Sequence, residues 1–131
     1  MKSISILVVL LSTSGSASTS TSWIHVKGGA WDPDEAVLLH LGANIQSYVT
    51  SEATRLEAEL PIWDQYRFQY QGRLEGNRKR IVFVNAFCHS FGDEKLETEF
   101  LFVFDGGPCF FTVEYDPEAR EFRSLRFNGH A

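Results

Sequence analysis

The 131-residue chain is poor in cysteine, methionine and proline, with two, one and four of them, and poor in basic residues relative to acidic ones. With no Cys-x-x-Cys and no second cysteine pair, neither a four-thiolate zinc centre nor a dithiol redox centre has its ligands. The four histidines, His25, His40, His89 and His130, show none of the close pair spacings of metal sites, so no metal is implied. Lys and Arg number 12 against 17 Asp and Glu, a net charge of −5 and a pI near 5.3. That balance excludes nucleic acid as a partner, because phosphate binding draws on a basic surface that releases counterions. No apolar run approaches the ~20 residues of a membrane-spanning helix. Gly-x-Ser-x-Gly is absent, and Gly28-Gly29 lacks the Lys-Ser/Thr of a phosphate-cradling loop, so no cofactor is implied either.

Core material is plentiful: 44% of residues are hydrophobic, and all 11 Phe lie between Phe68 and Phe127. This composition excludes a wholly disordered chain, and the length suits one domain. At the N-terminus, Met1-Lys2 is followed by the apolar Ile4–Leu11 and then by a small, polar stretch. That order is the pattern of a secretory signal peptide, with cleavage expected after Ala17 or Ser18. Residues 1–18 are therefore read as a signal peptide, 19–31 as a flexible mature N-terminus and 32–131 as a single α+β domain. The expected location is secreted or periplasmic, with no stable membrane insertion after cleavage. In such an oxidising compartment Cys88 and Cys109 are expected to pair as a disulfide. Closing a loop of that length stabilises by about 3 kcal/mol in the chain-entropy model.

Asp32-Pro33-Asp34-Glu35 reads as a helix start, with Asp32 as N-cap and Pro33 in the first helical position. Leu38, Leu41, Ile45, Tyr48 or Val49, Leu56 and Leu60 then recur at three- and four-residue steps, predicting one long helix stopped by Pro61. Beyond Pro61 the period becomes two. Tyr66, Phe68 and Tyr70 alternate with Arg67, Gln69 and Gln71, a half-buried strand with a wet face. Lys79–Cys88 reads as a central strand, Phe100–Phe104 as another, Asp105-Gly106-Gly107-Pro108 as a hairpin turn, and Cys109–Tyr115 and Glu121–Phe127 as the last two strands. Trp23–Val26 adds one short strand. The expected fold is one long N-terminal helix packed on a four- or five-stranded antiparallel meander, an α+β architecture. A plain meander would put Cys88 and Cys109 at opposite edges of the sheet. The disulfide therefore requires the segment after Cys88 to be something other than a tight hairpin.

The runs YRFQYQG, RKRIVFVNAFC, DGGPCFFTVEYD and LRFNG together resemble a group of small secreted bacterial proteins of unassigned function, over roughly Trp63 to Ala131. NAFC and DGG-x-CFF are the most distinctive elements, and the resemblance implies no activity. The element order is also similar in outline to the cystatin-like architecture. The Gln-x-Val-x-Gly hairpin and Pro-Trp loop of cystatin inhibitors do not occur, so protease inhibition is not implied.

Candidate chemistry is sparse. Cys88–His89 is the one nucleophile–base neighbour pair, and a disulfide at Cys88 removes the thiol. Asn85 interrupts an apolar strand and requires a partner, either a neighbouring loop backbone or a ligand. Arg73, Arg78, Lys79 and Arg80 cluster about the first hairpin, where they guard a sheet edge or meet an acidic partner. These features predict a non-catalytic module that binds another macromolecule, a protein being the partner considered, as an inhibitor or accessory factor. The alternative is a small-ligand-binding module with an aromatic-lined pocket between helix and sheet.

Overall fold

The computed structural model describes residues 23–76, 78–90, 92, 95–103 and 105–128, so the expected signal peptide lies outside the described residues. Trp23–His25 forms β1, a short strand parallel to β2, Arg67–Glu75, with Trp23 beside Phe68 and His25 beside Tyr70. Parallel neighbours need a crossover, and the chain supplies it as α1, the 21-residue helix Glu35–Arg55. Lys79–Phe87 (β3), Phe110–Asp116 (β4) and Glu121–Phe127 (β5) follow as antiparallel neighbours, giving the sheet order β1-β2-β3-β4-β5. The fold is α+β, one helix packed on a five-stranded mixed sheet. β1 corrects the purely antiparallel expectation, because the helix returns the chain to the same end of the sheet before β2 begins. In the stretch 19–31 expected to be flexible, residues 23–31 carry β1 and are tied to β2 through Val26 N–H to Tyr70 O and Ala30 N–H to Gly72 O.

Helix and sheet meet over a period-four stripe, Leu41, Ile45, Val49 and Ala53, packed against Phe68, Val82, Val84, Ala86, Phe111, Val113 and Tyr115. Alternation along each strand sends these side chains to one face of the sheet. Gly72 stands on that face because the Trp31 backbone crosses it closely: a Cβ there would lie 2.1 Å from Trp31 O. The helix begins two residues later than expected. Trp31 is held extended by its bridge to Gly72, and Asp34, not Asp32, caps the helix by accepting the Val37 N–H at 2.9 Å. It ends at Arg55, well short of Leu60. Glu57 takes a left-handed conformation (φ 57°), and Ala58 N–H bonds to Ala53 O, a Schellman closure without its usual glycine.

Two expectations fail on the opposite face of the sheet. Residues 100–103 form no strand, although their apolar alternation suggests one; Phe104 lies outside the described residues. Gln69, expected on a wet face, is fully buried beneath residues 96–101. The described residues between Cys88 and Cys109 form no strand, and β3 and β4 are direct neighbours. Phe87 pairs with Phe110, and Cys88 and Cys109 follow immediately outside the ladder. Their Cα atoms stand 5.0 Å apart and the disulfide is formed. No described helix is long and apolar enough to cross a membrane.

Candidate functional site

The helix does not sit centrally on the sheet. Tyr48 stacks on Phe122 of β5 at 5.2 Å, and His40 Nδ1 hydrogen-bonds to the Tyr115 hydroxyl of β4. This lean toward β4 and β5 leaves the β1–β2 side partly uncovered. A cleft of about 1010 Å³ opens there between the first half of α1 and the sheet edge. That volume lies in the range of pockets that take small molecules.

Its aromatic wall comes from β1, β2 and the short 3-10 turn Trp63–Gln65. Phe68 sits between two indoles, stacked on Trp23 at 4.4 Å and tilted against Trp63 at 5.6 Å. Tyr66 and Tyr70 flank it on the same strand face, and His25 stacks on Tyr70 at 4.8 Å beside Asp32. Tyr66 donates its hydroxyl to Pro108 O, and burial pushes that hydroxyl far above its ordinary pKa, so it stays protonated. The Tyr70 hydroxyl is also pushed up, first by burial and then by the negative field of Asp32.

The helical wall is small and apolar: Leu38, Leu39, Gly42, Ala43 and Ile45, with Glu35 at its start. Gly42 is exposed in mid-helix, and a Cβ built there meets no atom within 4 Å. Glycine in a helix interior costs about 1 kcal/mol relative to alanine, and no neighbour here requires it. A side chain longer than a methyl group at this position would extend into open space beside the cleft. Leu39, in the cleft lining, is 65% exposed, and Ile62, next to Trp63 in the chain, is 71% exposed.

The residues singled out from the sequence do not gather at this cleft. Arg73 lies on the opposite sheet face, its guanidinium 3.9 Å from the Phe83 ring centre, and burial lowers its pKa from the usual arginine value. Lys79 pairs with Asp116 at 2.9 Å, Arg80 lies over the Trp31 ring, and Arg78 is exposed in the β2–β3 turn with φ 84°. Asn85 donates to Leu101 O at 2.8 Å and to Gln69 Oε1 at 3.0 Å, so its partners are a loop backbone and a neighbouring amide. Cys88 is held in the disulfide and offers no thiol beside His89. His25 and His40 stand on different elements, and His130 lies outside the described residues. Among the described residues, no three His, Cys, Asp or Glu side chains are grouped to hold a metal.

Reading by residue type missed Trp23, Trp63, Gly42, Ala43, Glu35 and Asp64, since none carries a catalytic motif. Two signals for them were present: aromatic residues on alternate positions from Tyr66 to Tyr70, and a Gly-Ala pair inside an otherwise strong helix. Comparison with protein-family models, curated proteins and solved structures finds no match for this chain.

Proposed function

We propose that this protein is a secreted or periplasmic, non-catalytic module that binds a small apolar ligand in the cleft between α1 and the β1–β2 edge. The observation that carries this reading is an aromatic-walled cleft of about 1010 Å³ whose helical wall includes an exposed mid-helix glycine facing open space. The basic side chains that an acidic macromolecule would address support it indirectly. Arg73, Lys79 and Arg80 are engaged within the chain and point to different faces. The extracytoplasmic location rests on the N-terminal pattern of charge, apolar run and small polar stretch, together with a disulfide that persists in oxidising compartments.

The test is titration with a neutral naphthylamine dye that fluoresces in apolar surroundings. Wild-type protein is expected to bind it saturably at one site. Gly42→Leu places a branched side chain in the open cleft and is expected to weaken binding by about tenfold or more, equivalent to ~1.4 kcal/mol. The same change replaces a poor helix former by a good one, so Tm is expected to hold or rise, by up to about 1 kcal/mol of stability. Equal dye affinity in the two proteins, or no saturable binding in either, overturns the cleft assignment.

A further inference from the structure

We infer that the ligand of this cleft is a cation carried on an apolar body, such as an alkylated amine or quaternary ammonium group. The inference rests on the cleft reading above and adds the charge of the ligand. Twelve described residues line the cleft, and the only carboxylates or bases among them are Glu35 and Asp64, both acids. Lys, Arg and His are absent from the lining among the described residues. Seven of the twelve bases lie at the β2–β3 hairpin (Arg73, Arg78, Lys79, Arg80) and around β5 (Arg120, Arg123, Arg126); Arg67 of β2 lies over the Phe87 ring on the opposite sheet face, and Lys27, Arg55 and Lys95 do not line the cleft. The segment 32–60, which includes α1, holds six acids and one base. The N-terminal end of α1 offsets part of the Glu35 charge. Asp64 has no comparable long helix behind it, and Asp32 extends the negative field to the Tyr70 end, where it opposes ionisation of the tyrosine hydroxyl.

The wall chemistry agrees with the charge. Tryptophan, tyrosine and phenylalanine rings present negative faces, and a cation within about 6 Å of a ring centre gains roughly 0.5–2 kcal/mol, most when water is excluded. Trp23, Trp63 and Tyr70 bring three such rings to one cleft, with Phe68 packed between the two indoles behind them. An anionic ligand would meet two carboxylates and no compensating base. A neutral one would gain only the apolar contact. The apolar body is accounted for by the helical wall, including the exposed Leu39.

The experiment uses three probes with the same octyl chain, each below its micelle concentration: octyltrimethylammonium, octyl glucoside and octyl sulfate. Binding is read from the change in tryptophan fluorescence, Trp23 and Trp63 lining the cleft and Trp31 lying outside its lining, in wild type, in Asp64→Asn and in the double variant Glu35→Gln/Asp64→Asn. The trimethylammonium probe is expected to bind about tenfold more tightly than the glucoside, with the sulfate weakest, as one or two carboxylates at partly screened distance provide. The double variant is expected to bring the cationic probe to within about twofold of the glucoside and leave the glucoside unchanged, with Asp64→Asn part of the way. Equal binding of cationic and neutral probes by wild type overturns the charge inference and leaves the cleft reading standing. A preference that survives the double variant overturns the assignment to these two carboxylates. Failure of all three probes to bind removes the cleft reading and the inference with it.

Discussion

Gln69→Leu is expected to cost about 3 kcal/mol and to release residues 95–103 from the sheet while the rest of the fold stays closed. Gln69 is 0% exposed and uses its whole hydrogen-bonding capacity. Its Nε2 donates to Leu96 O at 2.9 Å and Glu99 O at 2.7 Å, and its Oε1 accepts from Asn85 Nδ2 at 3.0 Å and Leu101 N at 2.8 Å. Leucine fills nearly the same space and supplies none of these bonds. Each buried backbone group left without a partner costs roughly 1–3 kcal/mol. Three are affected, so the segment lifts and rehydrates instead of remaining dry and unpaired. What still tethers it is Asn85 Nδ2 to Leu101 O, Lys27 N–H to Glu97 O and the contacts of Phe83 and Arg73 with the Phe100 ring. Denaturant titration gives the loss in stability, and amide exchange locates it: Leu101 is expected to lose its protection while β3 and β4 keep theirs. The cleft lies on the other face of the sheet, so dye affinity is expected to be unchanged. A variant within 1 kcal/mol of wild type, with Leu101 still protected, would show that Gln69 does not hold this segment.

The same residues mark where local reading stops. β2 to β5 were legible because their alternation or continuous apolar character has one explanation, a sheet with a helix on one face. The α1 stripe was legible for the same reason, with Leu41, Ile45 and Val49 recurring at four-residue steps. Phe100–Val103 shows the same alternation and is no strand. Its backbone partners are the side chains of Gln69 and Asn85, 16–32 residues away, and no window of sequence around Phe100 contains that information. Asn85 was readable as a buried amide bonded to loop backbone because it broke an apolar run. Gln69 was not, because a polar residue on an alternating strand looks the same whether water or a folded loop covers it. The end of α1 was hidden by chemistry: Glu57 adopts the left-handed turn that a glycine would have announced. The cleft was hidden by geometry. Aromatic residues at alternate positions predict an apolar wall, but whether the helix covers it depends on the lateral lean set by Tyr48 on Phe122.

Opening the Cys88–Cys109 bond, by reduction or by the double variant Cys88→Ala/Cys109→Ala, is expected to lower stability by about 3 kcal/mol and Tm by roughly 10–15 °C. The two cysteines are 21 residues apart, and constraining a loop of that length in the unfolded chain accounts for this size of effect. The native state itself is expected to change little. Cys88 N–H still bonds to Cys109 O at 2.9 Å, and the β3–β4 ladder begins at once with Phe87 and Phe110. Both effects therefore concern one excursion, the disulfide closing its base and Gln69 holding its middle. Their costs are expected to be non-additive for that reason. With the bond open, the unfolded chain is freer, and the excursion is held at its base only by strand pairing. Gln69→Leu in the Cys-free background is then expected to extend the loss of amide protection from Leu101 toward the Phe87–Phe110 end of the ladder. A double-mutant cycle on Tm and on exchange at these amides measures the coupling. A Tm unchanged within about 3 °C after verified loss of the bond would show that the strand pairing closes this loop without it.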